Sequence, residues 1–144
     1  MAEPAGTPTP AGPSASCPAP HVLGIGTDLV DVDRFRRAMD RRGERLLTRL
    51  FSDAEREYAF AHREPAPRLA ARFGAKEAVM KAMSVGLWKF ALRDVEVIRA
   101  RSGQPLIALH AKAAELAERR GVATWHLSLT HTDTTAMAVA VALG

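Results

Sequence analysis

The sequence predicts an α+β domain with a mainly antiparallel sheet. Helical spacing, in which apolar residues recur every three or four positions, dominates the first half and one later segment. Strand-like apolar runs open the domain and recur near its end, where glycine, proline and polar turns separate them. The 144 residues, 47% of them hydrophobic and 25% charged, fit a single globular domain built from both kinds of element.

Residues 1–20 are predicted to form a disordered head. Residues 2–20 hold six of the nine prolines and almost no large apolar side chain, so they cannot bury enough surface to offset their ordering entropy. Cys17 is the only cysteine, which excludes an internal disulfide framework, and we expect it to be inert. The head lacks the features of a signal peptide, which favours a cytoplasmic location. The folded domain is expected at 21–144.

"HVLGIGTDLVDV" opens the domain. Val22, Leu23 and Ile25 indicate a buried strand, and the two glycines between and after them indicate close backbone approach. A helix is expected from about Asp31, and its apolar residues keep helical spacing to position 50, with Gly43 as a possible interruption. Polar side chains at the start of this helix are typical caps and dipole partners.

Two more helices and two strand pairs complete the domain. "SDAEREYAFAH" begins with a capping box made by Ser52 and Glu55, and the prolines at 65 and 67 punctuate the chain before a long helix. "RDVEVIRA", the turn "RSGQP" and "PLIALH" predict a hairpin. "AKAAELAERRG" predicts a helix closed by Gly121. "WHLSLTHT" and "TAMAVAVAL" predict a last pair of strands.

The long helix carries the most informative charges. "RFGAKEAVMKAM" (72–83) is apolar on two sides, which predicts packing on both. In one interpretation Arg72, Lys76 and Lys81 reach the surface and Glu77 pairs with Lys81 one turn away. In the other, the cations neutralise phosphates and the carboxylate holds a divalent ion. Partly buried charges need partners, which favours the second interpretation.

Other polar residues extend or limit that site. A magnesium ion needs a further oxygen ligand, and Asp28 is the best candidate because it is expected where the first strand passes into irregular chain. His126 and His131 are five residues apart and would point to opposite faces of a regular strand, which argues against a shared metal site. 

The first helix carries a stripe of arginines that suits two interpretations. It is either a solvated face balanced by Asp40 and Glu44 or a docking strip for an acidic partner. The net charge of +4 also allows nucleic acid, although 6% aromatic content leaves few rings for base stacking. No apolar run approaches the roughly 20 residues that span a bilayer. The stripe consists of Arg34, Arg37, Arg41 and Arg45.

Four stretches of the sequence resemble the holo-[acyl-carrier-protein] synthase family of 4′-phosphopantetheinyl transferases: "GIGTDLVDVDRF", "RLAARFGAKEAVMKAM", "SGQP" and "HLSLTHT". The resemblance covers nearly all of 22–142. It implies that family's fold, with antiparallel sheet around one long central helix. It implies a magnesium-dependent enzyme of fatty acid and lipid biosynthesis, which transfers the 4′-phosphopantetheine arm of coenzyme A to a serine of an acidic apo acyl carrier protein and releases adenosine 3′,5′-bisphosphate. It also implies a homotrimer with each site between subunits.

The resemblance further implies roles for individual residues. From the chemistry of phosphoryl transfer we also expect Lys81 to offset charge on the transferred group and Glu77, directly or through a metal-bound water, to accept the serine proton. The sequence departs from the family at Ser84-Val85-Gly86, where a Gly-Thr-Gly stretch is common. A catalytically silent module that binds carrier domains or nucleic acid is the alternative, and the type of carrier, whether fatty-acid, polyketide or peptide, stays open. The implied magnesium ligands are Asp28 and Glu77; the coenzyme A contacts are Arg72, Lys76, Lys81, Pro105, His131 and Thr132; the carrier contacts are Arg34, Arg37 and Arg41.

Overall fold

The computed structural model describes residues 19–86 and 89–144 and confirms the α+β class. The prediction of a disordered head, including Cys17, falls almost wholly outside the described residues. None of the described helices is both long and apolar enough to cross a membrane. In chain order the elements are β1 (Val22–Asp31), α1 (Val32–Leu50), α2 (Asp53–Phe60), α3 (Pro65–Ala82), a 3₁₀ turn (Leu92–Asp94), β2 (Val95–Arg99), β3 (Pro105–Leu109), α4 (Ala111–Arg119), β4 (Thr124–His131) and β5 (Thr135–Leu143).

The strands form two antiparallel sheets. The larger has the order β1–β5–β4, so that the first strand pairs with the last, and Val139 of β5 lies between Thr27 of β1 and Ser128 of β4. The smaller is the predicted hairpin of β2 and β3. The sequence predicted the β4–β5 and β2–β3 pairs but offered no partner for β1, because the pairing of distant strands leaves no local pattern.

Helix α3 runs through the middle of the molecule, and its predicted burial on two sides is confirmed. Toward its C-terminus, Val79 and Met80 pack with the hairpin, α4 and β4. Toward its N-terminus, Leu69 and Ala70 pack with α1 and α2. The two prolines were expected to precede the helix, but α3 begins at Pro65 and both prolines lie in its first turn. Proline is tolerated there because the N–H groups of the first turn have no partner within the helix.

Glycines bring β1 directly onto α3, which confirms the predicted close backbone approach and identifies its partner. A side chain at Gly24 would collide with the carbonyl oxygen of Ala82, and one at Gly26 with that of Ala78. Larger residues would therefore push the strand off the helix. The contact places the even-numbered residues of β1 from Gly24 to Val30 against α3.

Local signals for the helix ends are also confirmed. Asp31 caps α1 by accepting a 2.7 Å hydrogen bond from the backbone N–H of Arg34. Gly43 interrupts α1 with φ 53° and ψ −140°, a conformation that glycine adopts without strain. Ser52 and Glu55 make the predicted capping box at the start of α2.

The prediction that β1 is a buried strand is wrong in one respect. Leu23 and Ile25 are 40% and 62% exposed, because the face of β1 turned away from α3 has no covering layer in the single chain. Val22, the first residue of the strand, is 58% exposed and lies where the register shifts before Gly24. Asp28 also differs from expectation. It lies inside β1, three residues before the strand ends at Asp31, and not at a transition to irregular chain.

Candidate active site

Asp28, Glu77 and Lys81 come together where β1 crosses α3. The Lys81 ammonium donates to the Asp28 carboxylate at 2.8 Å and to the backbone carbonyl of Thr27 at 2.8 Å. The cation therefore bonds across the two elements and not to Glu77 one turn away on its own helix. The side chain of Asp28 is 17% exposed and that of Lys81 is 52% exposed, so the cluster opens to solvent on the lysine side.

The pKa of Glu77 reflects its position in this cluster. Its pKa is raised, first because burial disfavours the charged carboxylate and second because the Asp28 charge repels it, while Lys81 opposes the shift. Two carboxylates thus stand close enough to repel each other beside one half-exposed lysine. A divalent cation between them would relieve that repulsion.

The number of carboxylates in this cluster suits magnesium, which seldom takes all of its ligands from the protein. Within the described ranges, no group of three or more His, Cys, Asp or Glu residues is arranged to hold a metal. Magnesium is commonly held by one or two carboxylates together with waters and substrate phosphates. The donor set of Asp28 and Glu77 therefore suits an ion that arrives with a phosphate-bearing substrate.

Gly74 keeps the helix surface flat under the Asp28 carboxylate. A Cβ atom at this position would lie 3.7 Å from Asp28 Oδ2 and 3.3 Å from Val30 Cγ2, which is tight for the valine. The glycine thus lets the carboxylate end of β1 lie close to α3, one turn before Glu77.

Lys76 and Arg72, the other cations of α3, turn away from this cluster. Lys76 is fully buried and bonds to the Glu55 carboxylate at 2.8 Å, so in the single chain it exposes no atom to a phosphate. Arg72 is 5% exposed, and its guanidinium carbon lies 4.1 Å from the centroid of the Tyr58 ring. Its Nε is buried without a hydrogen-bond partner. Burial lowers the pKa of Arg72.

Glu55 is the functional candidate that sequence reasoning missed. Its place in a capping box predicted only a helix cap. In the structure it is 2% exposed and faces Lys76 in the core. A glutamate followed 21 positions later by a lysine on the buried side of a helix carries no recognisable sequence signal.

The remaining predicted coenzyme A contacts lie apart from the carboxylates. His131 ends β4 and Thr132 follows it, both exposed. His131 pairs with Ala136, which pairs in turn with Val30, so His131 is two strands, about 10 Å, from β1. Pro105 begins β3 in the other sheet. In the described parts of the chain, no side-chain hydrogen bond or ion pair joins these contacts to the carboxylate pair.

Three arginines of α1 form an exposed surface, which we call the arginine face. They precede the interruption at Gly43, whereas Arg45 lies beyond it. Glu44, expected to balance the stripe, instead bonds Arg56 of α2. The neighbouring Arg36 is held by Asp33 at 2.5 Å and is not part of this surface. The arginine face consists of Arg34, Arg37 and Arg41.

Comparisons with known proteins agree on one family. The model of the 4′-phosphopantetheinyl transferase superfamily matches residues 24–141. Holo-[acyl-carrier-protein] synthase of Desulforudis audaxviator is 47% identical over 123 residues, which are 85% of this chain and 94% of that protein. The crystal structure of the Neisseria meningitidis synthase matches with a TM-score of 0.78 at 28% identity, covering 85% of this chain and 98% of that one. The Helicobacter pylori synthase, solved with coenzyme A, matches with a TM-score of 0.73 at 26% identity, covering 82% and 98%.

Proposed function

The chain belongs to the 4′-phosphopantetheinyl transferase superfamily, and from that premise we propose that it is a holo-[acyl-carrier-protein] synthase. It transfers the 4′-phosphopantetheine group of coenzyme A to a serine hydroxyl of an apo acyl carrier protein and releases adenosine 3′,5′-bisphosphate. The serine oxygen forms the new bond to the β-phosphorus as the bond to the leaving bisphosphate breaks. Little covalent chemistry falls to the protein, so positioning and charge neutralisation dominate.

One arrangement carries this proposal: Lys81 bonds Asp28 at the open edge where β1 crosses α3, and Glu77 lies one turn before Lys81 with its pKa raised by burial and by the Asp28 charge. Asp28 and Glu77 would hold magnesium, which when bound supplies Lewis-acid polarisation of the pyrophosphate. The raised pKa of Glu77 supports this assignment, since the protein has placed two negative charges together with only partial compensation.

Lys81 and Glu77 also have roles of their own. The Lys81 ammonium is half exposed on a flexible stem, so it can exchange Asp28 for a phosphate oxygen and offset the charge of the transferred group. We assign to the Glu77 carboxylate the acceptance of the serine proton, directly or through a metal-bound water, because Glu77 lies one helical turn before Lys81 in the same cluster.

Arg72 is retained among the proposed coenzyme A contacts, and Lys76 is not. The unpartnered Nε of Arg72 leaves donor capacity for an anion, although the guanidinium is mostly buried against Tyr58. Lys76 already has a carboxylate and a carbonyl as partners and no exposed surface. We therefore propose a structural role for Lys76, and its contact with a coenzyme A phosphate stays a prediction.

A homotrimer would bring His131, Thr132 and Pro105 from one subunit to the carboxylates of another. The exposed apolar face of β1 and β5 supports such an assembly. Leu29 is 68% exposed and pairs in register with Met137, which is 38% exposed, and Ile25 of the same face is 62% exposed. A contiguous apolar patch of this kind on a sheet marks an interaction surface.

The arginine face is the proposed docking surface for the carrier protein, whose acidity would complement it. Its three members are exposed and lie on the helix that begins where β1 ends, close in sequence to Asp28. A carrier held there could present its serine to the carboxylate cluster.

Intact-mass spectrometry of an apo acyl carrier protein tests the proposed reaction. The carrier is incubated with coenzyme A, magnesium and this chain, and we expect its mass to rise by one phosphopantetheine while adenosine 3′,5′-bisphosphate accumulates. A carrier in which alanine replaces the acceptor serine is the control and should not gain mass. An unmodified wild-type carrier would overturn the proposal.

A further inference from the structure

A buried ion pair, Glu55 with Lys76, is not used by the proposed reaction. Lys76 Nζ lies 2.8 Å from Glu55 Oε2, and both side chains have no exposed surface. The same ammonium donates to the backbone carbonyl of Val95 and lies 5.4 Å from the centroid of the Phe51 ring. Removing two charges from water is unfavourable unless each is fully bonded, so this pair constrains the elements that carry it.

The Glu55 carboxylate ties three elements together. Besides Lys76 of α3, it accepts hydrogen bonds from the backbone N–H of Ser52 at 2.9 Å and from that of Val97 at 3.0 Å. Its partners therefore come from the start of α2, from β2 and from α3. Charge-assisted bonds of this kind are short and directional, so they restrict rotation as well as separation.

Helix α3 is held on its opposite side by β1. Ala78 faces that strand, where Gly26 leaves room only for backbone. Lys76 precedes Ala78 by two residues, which is about 200° around a helix of 3.6 residues per turn. The ion pair and the glycine contact thus hold α3 from two nearly opposite sides. Glu77 lies between these two points of attachment.

We propose that Glu55 and Lys76 are positioning residues that set the rotation of α3 about its axis, and thereby the separation of the Glu77 and Asp28 carboxylates. This inference rests on the proposed function, since a bound metal is what makes that separation matter. Side chains extend about 5–6 Å from a helix axis, so a rotation of about 20° moves a carboxylate by about 2 Å. Magnesium accepts ligands only near 2.0–2.1 Å, so such a shift would remove one of them.

The competing role for Lys76 is direct contact with a coenzyme A phosphate. The two roles differ in how they depend on metal. A phosphate contact contributes to coenzyme A binding with or without magnesium, whereas a positioning residue affects only the part of the binding that magnesium adds. Calorimetric titration of the protein with coenzyme A, once in EDTA and once in magnesium, separates these two parts.

Lys76→Met and Glu55→Gln are the test variants. In EDTA we expect both to bind coenzyme A as the wild type does. We expect the tightening produced by magnesium to fall by about 10–100-fold, the range found when residues that orient metal ligands are changed. Calorimetric titration with Mn²⁺ alone should show the same loss. Glu55→Gln keeps the shape of the side chain and an acceptor oxygen, so it provides a folded variant should Lys76→Met prove unstable.

Leu47→Ala is the matched control, because it opens a cavity in the core beneath α1 without touching the ion pair. It should lower the melting temperature and leave the magnesium effect intact. Three results would overturn this inference and leave the proposed function standing. They are a wild-type magnesium effect on coenzyme A binding in both test variants, an equal loss of that effect in Leu47→Ala, and weaker coenzyme A binding by Lys76→Met in EDTA. A wild-type protein without any magnesium effect would overturn the proposed metal site, and this inference with it.

Discussion

Replacing Lys81 with methionine separates its catalytic role from its ion pair. The substitution removes the ammonium and keeps an unbranched chain of similar length. In the structure that ammonium bonds the Asp28 carboxylate and the Thr27 carbonyl, both at 2.8 Å. Lys81→Met therefore breaks two hydrogen bonds and leaves Asp28 and Glu77 without their shared cation.

The effect of Lys81→Met on stability should be small. The lysine side chain is 52% exposed, so solvent screens its interaction with Asp28 and the ion pair contributes less than about 1 kcal/mol. For a domain of this size such a loss lowers the melting temperature by roughly 2–5 °C. Thermal unfolding followed by circular dichroism measures this directly.

The effect of Lys81→Met on catalysis should be much larger. A cation that stabilises charge developing on the transferred phosphoryl group is worth about 2–4 kcal/mol of barrier, which is a fall in kcat of roughly 30- to 1,000-fold. Binding of coenzyme A should weaken less than turnover does, because only part of that charge exists in the ground state.

Steady-state kinetics of carrier modification, with Lys112→Met as the control, tests the assignment. Lys112 is an exposed lysine of α4 outside the carboxylate cluster, and its replacement should leave kcat unchanged. A Lys81→Met protein with wild-type kcat would refute the role given to this lysine. A melting temperature far below the expected range would show that the lysine has a larger structural role than its half-exposed ion pair allows.

Four further predictions follow from the same geometry. Asp28→Asn and Glu77→Gln should each reduce turnover by orders of magnitude while circular dichroism shows a native fold, and normal turnover in either would remove that residue from the site. Arg34→Glu should raise the KM for the carrier and not that for coenzyme A, as added salt should in the wild type; an unchanged carrier KM would refute the arginine face. Leu29→Arg should abolish the proposed trimer and leave monomers in light scattering, and a wild-type mass would contradict the apolar interface. Hydrogen bonds from the Ser52 hydroxyl and then from His110 lower the pKa of Glu96 below its unfolded value. The Glu96 carboxylate therefore stabilises the fold above the ordinary carboxyl range, and this stabilisation is lost as the pH falls through the lowered pKa. The melting temperature should fall less between pH 7 and pH 3 in Glu96→Gln than in the wild type, and equal falls would refute the assignment.

Much of the fold could be predicted because its signals are local. Gly43 predicts the break in α1, the capping box of Ser52 and Glu55 predicts the start of α2, and turn residues separate the strands of the β2–β3 and β4–β5 pairs. The charges of α3 were informative for the same reason. Their spacing on one helix, together with the resemblance in the surrounding motifs, indicated a phosphate and metal site before any contact was known.

The direction in which each charge of α3 points could not be predicted. Helical spacing placed Lys76 and Lys81 on the same rod, but only the packing of β2 on one side and β1 on the other determines that the first is buried and the second half exposed. Nor could the sequence distinguish a strand face buried within the chain from one left open. Ile25 and Leu29 alternate as core residues do, yet both are exposed.

Anomalous scattering from crystals grown with coenzyme A and Mn²⁺ tests the central claim most directly, that Asp28, Glu77 and Lys81 hold the pyrophosphate of coenzyme A. The expected result is a manganese peak coordinated by the Asp28 and Glu77 carboxylates and by a pyrophosphate oxygen, with the Lys81 ammonium within hydrogen-bond distance of the same pyrophosphate. A peak held by other residues, or a pyrophosphate bound away from these three side chains, would contradict the account.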